Sequence, residues 1–172
     1  MSAPSPSLNG MAEAGLALAA LLLLVAAIWD NRRFKIPNAL CLGLAALFPL
    51  YAFFAHVPFL PHFYTGLAVL AGGFAFFSLR LLGGGDVKLL AAAALWAGPQ
   101  FILPLLFLTM TVGGVLAGFY ALAALRRARA ERKNPDAKLN PIPWQQAPVP
   151  YGMAIACGGW VVLFQMARAS FM

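Results

Sequence analysis

Long apolar runs, separated by short polar or Pro/Gly-containing segments, occupy most of this 172-residue chain. Hydrophobic residues make up 62% of it and charged residues only 10%, whereas about 25% of an ordinary soluble domain is charged. Twelve basic and five acidic side chains cannot cover the surface of a water-soluble globule of this length. Because roughly 20 apolar residues cross a bilayer as a helix, the sequence predicts an all-α membrane protein.

Polar and helix-breaking residues divide the chain into six apolar segments. Polar or proline-containing stretches follow the first, second and fifth segments, glycines 83–85 follow the third, and Gly98-Pro99 interrupts the longest run. We therefore predict six transmembrane helices at about residues 12–29, 39–55, 63–82, 87–97, 101–125 and 151–167. The fourth helix is only about 17 Å long, so we expect it either to extend into the glycines or to cross the bilayer in part. Residues 1–172 are predicted to form a single multi-pass domain.

The basic residues are concentrated in alternate connections between these helices. Eleven of the 12 lie in or beside the first, third and fifth connections, and the other one, Arg168, lies near the C-terminus. Basic residues of multi-pass proteins collect in cytoplasmic loops, so we predict that the N-terminus and the C-terminus are both outside, in the periplasm. The net charge of +7 is therefore assigned to orientation and lipid contact, not to a nucleic-acid partner.

Two of the five acidic residues, Asp30 and Asp86, lie where predicted helices meet the cytoplasmic interface. Asp30 ends the first helix and Asp86 begins the fourth, so the topology places both carboxylates at a similar depth. Paired carboxylates share a proton, and one then activates a water while the other donates to a scissile carbonyl. The helix dipoles predict that Asp86 is ionised and Asp30 protonated, unless Arg32 and Arg33 stabilise the Asp30 anion. The alternative is that each aspartate is an ordinary interfacial residue.

The cysteines and histidines are assigned no chemistry. Cys41 and Cys157 lie far apart within apolar runs, so we expect small core residues rather than a redox or zinc pair. His56 and His62 fall on the predicted outer side without metal-ligand spacing. The sequence therefore predicts neither a metal nor another cofactor.

Three segments of the chain resemble the active-site segments of type IV prepilin peptidases. Gly-Gly-Gly-Asp at 83–86 matches the GxGD signature of that family, and Val-Lys-Leu-Leu follows at 87–90. Asp30 is followed by Arg33 and by Ile-Pro-Asn at 36–38, as in the first segment of the family, and Pro-Tyr-Gly at 150–152 opens the last helix. The order and spacing of these segments extend the resemblance over nearly the whole chain.

The resemblance implies a membrane aspartic endopeptidase that removes leader peptides from prepilins at the cytoplasmic face of the bacterial inner membrane. It implies that Asp30 and Asp86 are the catalytic pair and that no cofactor takes part. The implied partners are a prepilin, with its transmembrane helix and basic leader, and membrane lipids. The supporting motif residues are Gly83, Gly85, Lys88, Pro37, Asn38 and Tyr151.

One departure from the family pattern narrows the resemblance. Larger members carry a cytoplasmic insertion with paired CxxC motifs after the first helix and also methylate the mature pilin, whereas this chain has no such insertion. It resembles the compact peptidases of tight-adherence (Flp-type) pilus systems, so no methyltransferase activity is expected. Presenilin-like proteases share GxGD, but Trp29 before the first aspartate and the Ile-Pro-Asn sequence favour the prepilin branch.

Alternatives stay open for the function and for two supporting residues. A small ion- or proton-coupled transporter and a non-catalytic pilus assembly subunit are the rival functions. Lys88 either binds an acidic group on the substrate, orients Asp86, or extends its charge to the membrane interface. Tyr151 either offers its hydroxyl to the aspartates or anchors the last helix at the interface.

Overall fold

The computed structural model describes residues 6–79, 82–133 and 151–170, and almost all of these residues are helical. The helices are α1 (Pro6–Arg33), α2 (Asn38–Phe54), α3 (Phe59–Ser78), α4 (Gly84–Lys133) and α5 (Tyr151–Ser170). Four of them, α1, α3, α4 and α5, contain stretches long and apolar enough to cross a membrane, while α2, with 17 residues, is shorter. The all-α prediction is confirmed for the described residues, and the apolar helices identify a multi-pass membrane protein.

Several predicted boundaries shift in the structure. The first helix does not stop at Trp29 but continues for another turn to Arg33. The predicted loop at 56–62 is also wrong in its second half, because α3 begins at Phe59, directly after Pro58. A proline is compatible with the first turn of a helix, where its missing N–H would have no partner. The predicted end of this helix at residue 82 is replaced by Ser78, and residues 80–81 lie outside the described part of the chain.

The predicted break at Gly98-Pro99 is confirmed. Gly98 has φ 58° and ψ −173°, so it divides α4 into a first arm at 84–97 and a second arm at 99–133. The positive φ suits glycine, and a Cβ at this position would overlap the ring of His62. The first arm starts among the glycines, at Gly84, which agrees with the first of the two predicted alternatives, an extension of the fourth helix into the glycines.

The two arms of α4 run in opposite directions. Asp86 and Gly113 would be about 40 Å apart in one continuous helix. Instead, a Cβ on Gly113 would lie 3.0 Å from the ring of Tyr151, the neighbour of Gly152, which bonds to Asp30. Asp30 and Asp86 line the same cavity, so the second arm returns to the end of the bundle that carries both aspartates, hereafter the aspartate end.

His62 completes the hydrogen bonding at this reversal. The carbonyl of Leu95 would normally accept from the N–H of residue 99, but residue 99 is a proline and has none. The Nδ1 of His62 lies 2.9 Å from this oxygen, and the buried ring stacks on Phe48 at 5.0 Å. His62 therefore has a structural role that the sequence analysis did not assign.

The second arm is longer than predicted. It passes the predicted end at Leu125 and continues as helix to Lys133, so the first residues of the predicted basic loop, 126–133, are helical. A run of good helix formers, Arg126 to Lys133 with alanines between the charges, explains the extension. The rest of that predicted loop, 134–150, lies outside the described residues.

The buried core contains residues of α1, α2, α5 and both arms of α4. In it α4 packs against α5 and α2, and α1 packs against α5 and α2, while α3 packs on α4. Small residues bring these helices together: Gly159 lies against Leu23, and Gly158 against Leu105. The Trp96 indole N–H donates to the Leu44 carbonyl at 2.9 Å and joins the first arm of α4 to α2.

Cys41 is buried in this core, as predicted, but Cys157 is exposed on the outside of the bundle. The core prediction is therefore wrong for Cys157, because α5 turns Ala156 and Gly158 inward instead. The described residues 6–79, 82–133 and 151–170 form six helical segments if the arms of α4 are counted separately. Six membrane crossings and the location of the termini stay predictions.

Candidate active site

Asp30 lies in the last turn of α1, three residues before the helix ends at Arg33. The backbone N–H of Phe34 donates to the Asp30 carbonyl at 2.7 Å, and Phe34 itself has φ 51°. A positive φ is uncommon for a residue with a side chain, and here it reverses the chain so that the following residues pass back over the helix end. The Asp30 side chain is consequently only 4% exposed.

Asp86 lies in the first turn of α4. The N–H of Val87 donates to the Gly83 carbonyl at 3.1 Å, so Gly83 is drawn close to the start of the helix. A Cβ on Gly83 would lie 2.7 Å from Asp86 Oδ2. The predicted supporting residue Gly83 therefore leaves the space in which the Asp86 carboxylate lies. Asp86 as a whole is 8% exposed.

One cavity of about 260 Å³ brings the two aspartates together. Its walls are Asp30, Asp86, residues 34–36 from the connection after α1, and glycines 83–85 before and at the start of α4. The two carboxylates are close enough to interact electrostatically. Asp30 and Asp86 are 56 positions apart in the sequence, and the fold unites them as expected from their shared depth.

The first turn of α5 completes the surroundings of Asp30. The backbone N–H of Gly152 donates to Asp30 Oδ2 at 2.8 Å, and this hydrogen bond is buried. A Cβ on Gly152 would lie 2.7 Å from the same oxygen and 2.9 Å from the Asp30 Cβ. Only a glycine thus allows the backbone of α5 to approach closely enough to hold this carboxylate.

Gly85 lines the cavity, and Pro37 directly follows the lining residue Ile36. A Cβ on Gly85 would lie 3.2 Å from the Cβ of Ile36, so the connection after α1 packs closely on the start of α4. Pro37 is the residue before α2, with φ −61° and ψ 134°, and it ends that connection. Of these two predicted supporting residues, Gly85 therefore lies in the cavity wall and Pro37 lies next to it, and a role of either in catalysis stays a prediction.

Lys88 and Asn38 lie beside the cavity and contact each other. The Lys88 Nζ donates to Asn38 Oδ1 at 3.0 Å and joins the first arm of α4 to the first residue of α2. Tyr151 lies at the same end, with its ring against Gly113. A role for its hydroxyl toward the aspartates stays a prediction.

Four residues that were not predicted as site residues contribute to the site. Phe34, Lys35 and Ile36 line the cavity. Ile36 belongs to the Ile-Pro-Asn motif, whereas the signal for Phe34 and Lys35 is only their position between Asp30 and Pro37. The Gly152 N–H is a backbone donor, and only the Pro-Tyr-Gly segment pointed to its position. Arg33, considered as a partner of Asp30, has its guanidinium 5.3 Å from the centre of the Trp29 ring.

The arrangement is suited to acid–base chemistry on a water molecule. Two buried carboxyl groups in one cavity can divide the roles of base and acid. Within residues 6–79, 82–133 and 151–170, no cluster of three or more His, Cys, Asp or Glu side chains is placed to hold a metal ion. Which carboxyl group carries the proton stays a prediction.

Comparison with known proteins gives two matches. The sequence profile of the type IV leader peptidase family matches residues 17–118, a range that includes both aspartates. A prepilin leader peptidase/N-methyltransferase from Xanthomonas campestris pv. campestris is 37% identical over 83 residues, which are 48% of this chain and 23% of that relative. The chain therefore spans less than a quarter of the relative that it matches. No solved structure gives a significant match.

Proposed function

We propose that this chain, which belongs to the type IV leader peptidase family, is a membrane aspartic endopeptidase that removes leader peptides from prepilins. The observation that carries the proposal is the one cavity that the buried residues Asp30 and Asp86 share. The Gly152 N–H on Asp30 supports it further, because an interfacial aspartate without a function needs no such enclosure. A proton-relay transporter would also use two aspartates, but it does not account for the match to a peptidase family.

In the proposed mechanism a water molecule lies between the two carboxyl groups. The ionised aspartate takes a proton from the water as the water oxygen attacks the scissile carbonyl carbon, and the protonated aspartate donates to the carbonyl oxygen. Collapse of the tetrahedral diol breaks the C–N bond, and the amine leaves with a proton from the pair. The Gly152 N–H holds Asp30 in position during these transfers, and no acyl-enzyme forms.

The substrate class and orientation are also part of the proposal. The connection between α1 and α2 is only four residues long, 34–37, and contains no CxxC insertion, which supports a compact Flp-type peptidase without methyltransferase activity. Arg32, Arg33, Lys35 and Lys88 surround the aspartate end, so the positive-inside rule supports a site that faces the cytoplasm from the inner membrane.

A cleavage assay tests the proposal. A prepilin co-expressed with the full chain should lose its leader, which a shift in electrophoretic mobility and N-terminal sequencing of the product detect. Asp30→Asn and Asp86→Asn should each abolish cleavage, because an amide can act neither as the base nor as the acid.

Glu13→Gln is the matched control, since Glu13 is an exposed acid outside the cavity, and it should leave cleavage unchanged. Cleavage that survives both aspartate substitutions would overturn the mechanism. An uncut prepilin together with aspartate-dependent ion flux would identify a transporter instead. Normal pilus assembly by both variants would identify a non-catalytic subunit.

A further inference from the structure

A second cavity, a groove of about 490 Å³, lies on the outer face of the bundle between α2, α3 and the first arm of α4. Apart from Asn38 and Lys88 at one end, every residue that lines it is apolar. Leu42 and Leu67 form its rims and are 70% and 49% exposed. The groove is therefore an apolar depression that opens sideways toward lipid and has a single polar end.

The groove has the dimensions and the floor of a helix-binding site. On each of its three walls the lining residues span eight positions, for example 88–95 in α4, a rise of about 10 Å or two helical turns. Gly66, Ala91 and Ala92 contribute to the lining. Small side chains let the backbone of another membrane helix approach closely, whereas a lipid chain needs no such surface.

The polar end of the groove lies beside the candidate active site. Lys88 is two residues after Asp86, and its Nζ bonds to Asn38 at 3.0 Å. Cys41, which lines the groove, has its Sγ 3.9 Å from the carbonyl of Gly85, which lines the aspartate cavity. A helix in the groove would thus end next to the two carboxylates, where its preceding residues could enter the cavity.

Lys88 determines which charge an occupant of the groove should carry. Its side chain is exposed in the free protein, but a helix seated in the groove would cover it and remove it from water. A covered cation is costly unless it meets an anion, and the amide of Asn38 is neutral. The occupant is therefore expected to carry a carboxylate near the end that lies at Lys88.

We infer that this groove seats the first two turns of the substrate's transmembrane helix, with an acidic side chain of that helix paired to Lys88. The inference rests on the proposed function and adds the location and the charge of substrate recognition. Apolar packing on the groove holds the helix, and the ion pair sets its register, so that the peptide bond before the helix reaches the aspartates.

Filling the groove is the first test. Ala45 lines the groove, and its neighbour Ala46 is exposed on α2 outside it, so Ala45→Phe and Ala46→Phe form a matched pair. With the co-expressed prepilin and with purified protein in phosphatidylcholine vesicles, Ala45→Phe should raise KM about tenfold or more and change kcat less. Ala46→Phe should behave as wild type. Equal kinetics for the two variants would overturn the inference.

Charge reversal is the second test, and it does not depend on the folding of the groove variant. Changing the acid in the first two turns of the prepilin helix to Lys should slow cleavage by wild type, and Lys88→Glu should slow cleavage of the unchanged prepilin. The two changes together should restore much of the rate, because the ion pair is re-formed with its charges exchanged. If the two changes together lower the cleavage rate by the combined effect of the single changes, with no recovery, the proposed ion pair is overturned.

The remaining outcomes separate this inference from its rivals. If the groove holds an anionic lipid, the effect of Lys88→Glu will follow the phosphatidylglycerol content of the vesicles, and the prepilin reversal will not rescue it; that result overturns the inference. If wild type leaves the prepilin uncut, the proposed function itself fails. Aspartate-dependent cleavage that is indifferent to Ala45→Phe and to charge reversal leaves the function standing and refutes the groove.

Discussion

The environment of Asp30 depends on a residue that contributes no side chain. Gly152 donates its backbone N–H to the carboxylate at 2.8 Å, and any larger residue would place its Cβ 2.7 Å from the same oxygen. Asp30 is predictable from its position at a helix end and from the family motif. The hydrogen bond from Gly152 is not predictable, because a backbone donor has no sequence signature of its own.

Gly152→Ala is expected to reduce cleavage about a hundredfold, since a displacement of Asp30 by roughly 1 Å is enough for such a loss. The measurement is the cleavage rate of a co-expressed prepilin, with the amount of folded protein followed by size-exclusion chromatography in detergent. Gly118→Ala is the control, because no atom lies within 4 Å of a Cβ at Gly118. A Gly152→Ala variant with the wild-type rate would contradict the proposed role of this close approach.

Among the helices, α4 differs most from what its hydrophobicity suggests. Its 50 residues form two antiparallel arms because Gly98 takes a positive φ and Pro99 cannot continue the hydrogen bonding. The Gly-Pro pair predicted the position of the break from local chemistry alone. The partner of the free Leu95 carbonyl, His62, comes from α3, and nothing in the spacing of the histidines indicated it.

His62→Phe should destabilise the protein by about 1–3 kcal/mol, because it retains a ring against Phe48 but leaves the partly buried Leu95 carbonyl without its donor. Thermal unfolding in detergent, followed by circular dichroism, measures the change. Tyr64→Phe removes a hydroxyl from an exposed residue of the same helix and should have little effect. Equal melting temperatures for the two variants would show that the hydrogen bond contributes nothing to stability.

For the whole molecule, the arrangement of helices places basic residues mainly at the aspartate end. The second arm of α4 returns to this end and continues into the arginines of 126–133, while His56 lies in the connection after α2, at the opposite end of that helix from Asn38. The return of the second arm agrees with the alternation of basic residues, and six membrane crossings stay a prediction. The orientation in the membrane depends on lipid and on the electrostatics of insertion, so it stays a prediction.

Cysteine labelling tests this orientation. In a background with Cys41→Ala and Cys157→Ala, a membrane-impermeant maleimide applied to spheroplasts should label His56→Cys and should not label Arg129→Cys. Both variants should react after solubilisation in detergent, which controls for accessibility. The opposite pattern would invert the topology and place the candidate active site outside the cell.

The amino-acid sequence alone established the apolar segments, the break at Gly98-Pro99 and the positions of Asp30 and Asp86 at helix ends. These features follow from hydrophobic length, from backbone restrictions of proline and glycine, and from the cost of charge in lipid, all of which act locally. Helix boundaries such as Arg33 and Lys133 were less predictable, because polar residues can extend a helix once neighbouring helices or water satisfy its end.

The tertiary structure was needed for everything that joins distant parts of the chain. Asp30 meets Gly152 across 122 positions, Lys88 meets Asn38 across 50, and His62 meets Leu95 across 33. In each case one partner is a backbone group or a neutral amide, whose presence says nothing about where it will bond. These hydrogen bonds form only where the helices pack closely. The packing distance is set by glycines and alanines at the interfaces between helices.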